Sequence, residues 1–211
     1  MEGYKKTRII VYDCDGVLFE SKKANLAYYN YILREFGKPL INEEDHELVN
    51  IAHTCTTTEV LEILFRQDPR LANILKFARD INFALFFKWM KMEPGLMEIL
   101  KTLEGNYLLS IATNRGKSLN AVLENFKIKH FFKYCVTSSD VLYPKPHPDY
   151  LLKIVNNFKA SKEEVLYIGD SEVDLITAQE AGINFIAYKN DLIKTPLMIA
   201  HHLELKDILG I

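Results

Sequence analysis

Five short runs of β-branched and aromatic residues dominate what this chain can become: Arg8–Tyr12, Tyr107–Thr113, Tyr134–Ser138, Val165–Ile168 and Phe185–Tyr188. They lack the apolar–polar alternation of a strand with one wet face. Each therefore reads as a strand buried on both sides, as in a parallel sheet. Between the later runs lie stretches of helical period, at Gly95–Leu103, Gly116–Phe126, Pro148–Phe158 and Ser171–Ala181. Strand alternating with helix at this spacing predicts an α/β fold around a Rossmann-like parallel sheet.

One long interruption breaks the alternation. Residues 21–92 hold no convincing strand, but four helical stretches: Lys22–Phe36, Glu43–Ile51, Thr57–Arg66 and Pro69–Met90. Gly37 stands where a glycine would close the first. Asn42 is placed to cap the second and Asp68 the fourth, with Pro69 at its first position. Ile74, Phe77, Ile81 and Leu85 give the fourth its apolar face, and Phe83, Phe86, Phe87 and Trp89 are expected to pack within this module. Pro94-Gly95 marks the return. The expected organisation is a core of residues 1–20 and 93–211 with an α-helical insertion of residues 21–92.

Composition narrows the function. Apolar residues make up 48% and charged residues 26% of 211, proportions of a globular chain rather than a disordered one. A net charge of −2 gives no field for nucleic acid or an anionic membrane surface, and neither is expected as a partner. Residues 20–92 carry ten basic and ten acidic residues, so charge does not make the insertion a docking face. Cys14, Cys55 and Cys135 form no metal or disulfide pattern, and Cys14 reads as a small residue packed beside its strand. The opening segment has only a four-residue apolar stretch before Asp13, too little for a secretory leader. The expectation is a cytoplasmic protein, a monomer or weak homodimer.

Ligands of open α/β sheets bind beyond the carboxyl ends of the strands. Asp13-Cys14-Asp15-Gly16 follows the first run and Thr113-Asn114-Arg115 ends the second. Lys145 lies between two prolines after the third, and Gly169-Asp170-Ser171, with Asp174, follows the fourth. This edge thus gathers carboxylates, a hydroxyl and an amine, a set suited to phosphoryl transfer. Clustered carboxylates need a cation, and oxygen ligands beside phosphate point to Mg²⁺. One carboxylate can attack phosphorus, and a second can protonate the leaving oxygen and later activate water. Thr113 and Lys145 can bind the oxygens where charge accumulates.

Taken in order, Asp13-x-Asp15-Gly16-Val17-Leu18, Thr113-Asn114, Lys145-Pro146-x-Pro148 and Gly169-Asp170-Ser171-x-x-Asp174 resemble the motifs of the haloacid dehalogenase superfamily. Within it the chain is similar to phosphoglycolate phosphatase-like hydrolases with a helical cap. The resemblance implies Asp13 as nucleophile and Asp15 as general acid and base. It places Mg²⁺ on Asp13, the Asp15 backbone carbonyl and Asp170, with Asp174 beside the ion, ordering its waters or Lys145. Thr113 and Lys145 would hold the phosphoryl group, and residues 21–92 would form a mobile cap. The second aspartate implies a phosphatase rather than a dehalogenase, because an alkoxide needs a proton and a halide does not.

Asn114, Arg115, His53 and Thr54 are the candidate substrate contacts. Two alternatives stand beside them: Arg115 as a residue that pairs on the surface, and the threonine run after His53 as a helix cap. The implied activity is Mg²⁺-dependent hydrolysis of a small phosphorylated metabolite through an aspartyl-phosphate. Its rivals are a phosphomutase of the β-phosphoglucomutase type and a receiver-type phosphoacceptor module.

Overall fold

The computed structural model describes residues 4–211. Residues 1–3, part of the expected core unit and of the segment read for a leader, lie outside the described residues. Six parallel strands form the sheet: β1 (Ile9–Tyr12), β4 (Leu108–Thr113), β5 (Phe132–Thr137), β6 (Val165–Gly169), β7 (Asn184–Tyr188) and β8 (Met198–Ile199). Their spatial order is β5-β4-β1-β6-β7-β8. By order of appearance in the sheet this is 3-2-1-4-5-6, the doubly wound Rossmann arrangement whose switch point lies beside the first strand. β1 is central, paired with β4 on one side and β6 on the other.

The uniformly apolar runs are explained by burial on two faces. Ile10 and Tyr12 pack into one hydrophobic cluster, Ile9 and Val11 into another. Leu166 and Ile168 divide from Val165 and Tyr167 in the same way, as period-two geometry requires. α5 (Leu96–Leu103), α6 (Ser118–Asn125), α7 (Asp149–Phe158) and α8 (Glu172–Ala181) cover these faces. The expected helices match them to within two residues at either end.

The helices between β1 and β4 differ in detail. α1 spans Lys22–Glu35 and ends at Gly37 in the left-handed region (φ 69°), as expected. α2 is His46–Thr54, capped by Asp45 rather than Asn42, which instead accepts from the Glu44 amide. α3 is Thr57–Leu64. The single long fourth helix is not formed. α4 covers Leu71–Asp80, and a 3-10 helix, Phe83–Trp89, follows. Ile81 is extended, and the Asn82 side chain accepts from the Ala84 amide and starts a new element. That break turns Leu85 outward, 59% exposed, while Phe83 and Phe86 are buried. Asp68 accepts from the Arg70 amide and guanidinium in the turn before α4. A two-stranded antiparallel ribbon, β2 (Phe19–Glu20) with β3 (Lys91–Met92), joins this helical segment to the sheet.

Candidate active site

Four strand ends meet at the switch point. β1 delivers Asp13, whose amide donates to the Ile168 carbonyl of β6 (2.9 Å). The chain then turns through Gly16 at φ 81°, where a Cβ would stand 1.9 Å from an Asp170 carboxylate oxygen. Only glycine permits both that backbone and that approach. β6 ends at Gly169, against which Asp174 packs so closely that a Cβ there would meet the Asp174 Cβ at 2.3 Å. Ser171 caps α8, donating to Asp174 Oδ2 (2.5 Å) and accepting from the Asp174 amide (3.2 Å).

Lys145 sits at the centre, 6% exposed. Its ammonium donates to Asp13 Oδ1 (2.8 Å), Asp174 Oδ1 (2.6 Å), the Tyr167 hydroxyl (3.0 Å) and the Ala112 carbonyl (3.3 Å). Burial alone would lower its pKa, but Asp13 and Asp174 outweigh burial and hold it well above the usual range. Asp174 is held below its usual value by Lys145, Ser171 and Tyr167 against the cost of burial. Asp13 moves the other way. Burial pushes it up to about 7, helped by Asp174, Asp170 and Asp15 and opposed by Lys145.

Asp15 faces different partners. Its Oδ1 accepts from Ser21 (2.5 Å), Asn25 (3.3 Å) and Arg115 NH2, and its Oδ2 from Arg115 Nε (3.0 Å). Burial raises its pKa, but the Arg115 charge and hydrogen bonds, with His53 and Ser21, bring it down to about 2. Thr113 is buried at the end of β4, and its hydroxyl accepts from the Arg115 amide (3.1 Å). Its own proton remains available to a ligand.

Asn114 organises the loop. Its Oδ1 accepts from the Lys145 amide (3.1 Å) and Tyr150 hydroxyl (2.8 Å), and its Nδ2 donates to the Thr54 carbonyl (2.9 Å). Thr54 meets the sheet side through that carbonyl, while its hydroxyl donates to Asn50 within its own helix (3.0 Å). Thr56 forms the capping box of α3 with Glu59, so part of the threonine run has the capping role. His53 places Nε2 3.6 Å from Asp170 Oδ2, beyond hydrogen-bond length but close in charge. Burial lowers the His53 pKa, yet Asp170 and Asp15 leave it raised.

Asp13, Asp15, Thr113, Lys145 and Asp170 border one cavity of about 670 Å³, lined on its far side by Asn25, Tyr28, His53 and Phe83 of the helical segment. The structure thus assembles Asp13, Asp15, Thr113, Asn114, Arg115, Lys145, Asp170, His53 and Thr54 around one space, with Asp174 directly behind Lys145. Tyr167, Ser21 and Asn25 were not expected. Each carried a signal. Tyr167 is the polar-tipped residue of an otherwise aliphatic strand, and a buried phenol needs a partner. Ser21 and Asn25 stand four apart on the start of α1, facing the same way.

Among the described residues, Asp13, Asp170 and Asp174 can bring carboxylate oxygens within 4.8 Å of one another. All-oxygen donors suit a hard divalent cation. The three are not equivalent. Asp174 already accepts from Lys145 and Tyr167 on one oxygen and from Ser171 on the other. Asp13 keeps Oδ2 clear of Lys145, and the Asp170 side chain is 18% exposed. With its carboxylate taken up by Arg115, Asp15 has only its backbone carbonyl to offer an ion. The donor set fits Mg²⁺ on Asp13 and Asp170, with Asp174 better placed as a partner of Lys145.

A doubly wound parallel sheet with an acid-and-lysine centre at its switch point places the chain among α/β proteins whose ligands bind beyond the strand ends. The family model for haloacid dehalogenase-like hydrolases matches residues 10–188, and the chain belongs to that family. A haloacid dehalogenase-superfamily hydrolase of subfamily IA from Geobacter sulfurreducens PCA superimposes with a TM-score of 0.78. It is 37% identical, with 98% of each chain covered. A phosphoglycolate phosphatase of Haemophilus influenzae is 27% identical over 199 residues, covering 83% of this chain and 82% of that protein. Pyrophosphatase PpaX of Halalkalibacterium halodurans is 26% identical over 177 residues, covering 82% and 80%. Among the described residues, no helix is long and apolar enough to cross a membrane.

Proposed function

We propose that this chain is a Mg²⁺-dependent phosphatase acting on a small phosphomonoester through an aspartyl-phosphate. One observation carries the reading: Lys145 spans Asp13 and Asp174 at the floor of a shared cavity, with Asp170 beside them. In this reading Asp13 attacks phosphorus. Lys145 and the Thr113 hydroxyl hold the equatorial oxygens, where charge builds up. Asp15 protonates the leaving oxygen and then takes a proton from the attacking water. Asp174 and Tyr167 fix Lys145, and Asn114 fixes the loop that presents it. Mg²⁺, held by Asp13, Asp170 and the Asp15 carbonyl, would offset the repulsion between anionic nucleophile and anionic substrate.

The helical segment, residues 21–92, serves as cap over the core formed by residues 1–20 and 93–211. His53, Thr54 and Arg115 border the space left for the leaving group. The kinship with a pyrophosphatase makes pyrophosphate a further substrate to test. The decisive experiment is a phosphate-release screen over phosphorylated metabolites and pyrophosphate, with Mg²⁺ and with EDTA. Release of phosphate that EDTA abolishes and Mg²⁺ restores supports the reading. Conversion of hexose phosphates to isomers without phosphate release would replace it with a phosphomutase. A stable acyl-phosphate without turnover would replace it with a phosphoacceptor.

A further inference from the structure

Arg115 differs from the other polar residues of the cavity in how fully it is used. A guanidinium has five N–H donors. Nε and one NH2 proton hold the two oxygens of Asp15, the second NH2 proton reaches Asn25 Oδ1 (3.0 Å), and NH1 donates to Ser118 (3.2 Å). One donor remains. The flat face of the group lies 4.6 Å from the Phe83 ring, a cation–π contact, and the side chain is only 5% exposed. Asp15 and Ser118 belong to the sheet side. Asn25 is on α1 and Phe83 on the 3-10 helix, so half of the contacts cross to the helical segment. Asn25 also donates to Asp15, which closes a triangle of hydrogen bonds across the boundary.

We propose that Arg115 is a positioning residue that ties the Asp15 carboxylate to Asn25 and Phe83, so that the place of this carboxylate depends on the closed position of the helical segment. The proposal rests on the reading of Asp15 as acid and base. Four of the five donors are committed to Asp15, Asn25 and Ser118, so the fork is set to hold a protein carboxylate in place. Moving α1 and the 3-10 helix away would strip Arg115 of Asn25 and the Phe83 face. The fork would then hold Asp15 with Ser118 as its only other side-chain partner. Lysine cannot replace this fork, because a point charge cannot span two carboxylate oxygens and an amide at once.

Two measurements on the full chain test the proposal. The first is steady-state hydrolysis of p-nitrophenyl phosphate, whose leaving group needs no proton, and of glycerol 3-phosphate, whose leaving group does. Arg115→Lys should lower kcat on glycerol 3-phosphate by about tenfold more than on p-nitrophenyl phosphate, with KM little changed. Asn25→Ala, which removes the helical end and keeps the arginine, should give the same imbalance more weakly. The second measurement is amide hydrogen exchange, which needs no activity. Exchange over residues 22–35 and 83–89 should accelerate in Arg115→Lys, while β1 and β6 stay protected. A raised KM with unchanged kcat would make Arg115 a substrate ligand and overturn the proposal. Equal kcat losses on both substrates, or unchanged exchange in both segments, would also overturn it. If the parent enzyme releases phosphate from neither ester nor any compound of the screen, the functional reading fails, and the exchange result alone still decides whether Arg115 links the two sides.

Discussion

The sharpest test of the acidic centre is a loss of charge rather than of activity. Asp13 is 6% exposed, and its surroundings push it from 3.8 up to about 7. Between these values the folded protein keeps a proton that the unfolded chain releases. The stabilisation from that proton is complete below pH 4 and is lost as pH rises through 7. At ~1.4 kcal/mol per pH unit, the displacement amounts to about 4 kcal/mol by pH 8. Asp13→Asn imitates the protonated carboxyl and should keep the stability that the parent loses. In EDTA, the variant and parent should unfold in urea with similar free energies near pH 4 and diverge by about 4 kcal/mol near pH 8, the variant being the more stable. Taking the difference cancels other groups that titrate in the window, such as His202, which burial pushes down to about 4. Asp15, brought down to about 2, stabilises above pH 4 and loses that effect only as pH falls further, so the two windows do not overlap. Mg²⁺ should narrow the gap, because a hundredfold excess over Kd stabilises the folded parent by about 2.7 kcal/mol. A gap that does not change with pH, or a variant less stable at pH 8, would refute the electrostatic account of this centre.

Three further outcomes follow from the arrangement. Asp170→Ala should keep the fold and lose most of the thermal stabilisation that Mg²⁺ confers, read by differential scanning fluorimetry with and without the ion. Asp15→Asn should accumulate a phosphorylated enzyme from an aryl phosphate and Asp13→Asn should not; intact-mass and peptide mapping would refute the roles by finding phosphate on any residue but Asp13. His53→Ala should reorder a panel of phosphate esters more than it slows an aryl phosphate, whereas Thr54→Ala should do little, because its hydroxyl serves its own helix.

The core strands were legible because burial on both faces leaves little room for polar residues in Ile9–Tyr12 or Val165–Ile168. The strand ends were legible for the opposite reason, since Asp13, Asp15, Lys145 and Asp170 have no packing role to disguise them. Elements too short to have a period were invisible. β2 and β3 are two residues each, and pairing between Phe19 and Met92 is a tertiary fact. The break after Asp80 was hidden because Ile81 continues the apolar spacing, while the capping Asn82 looks like an ordinary polar position. Partnership was the least legible property. In sequence Arg115 directly follows Thr113-Asn114; only the folded geometry turns its fork onto Asp15.

Two residues apart in sequence, Asp13 and Asp15 have their pKa values driven in opposite directions, because successive turns of the loop deliver them to different neighbours. Asp13 meets Asp170, Asp174 and Lys145, Asp15 an arginine, a serine and an asparagine. Separated pKa values are a mark of an acid–base pair. Here burial of Asp13 and the Arg115 charge beside Asp15 set the pair against the proposed roles, since a nucleophile must be ionised and an acid must carry its proton. The same neighbours offer the means of correction. A cation on Asp13 and Asp170 favours the ionised nucleophile. An anionic substrate beside Asp15 favours its protonated form while the Arg115 fork keeps the carboxyl in place. Each aspartate would then reach its working state only with the correct ligand beside it, and the buried neighbours that hold it otherwise would limit turnover in the absence of a complete complex.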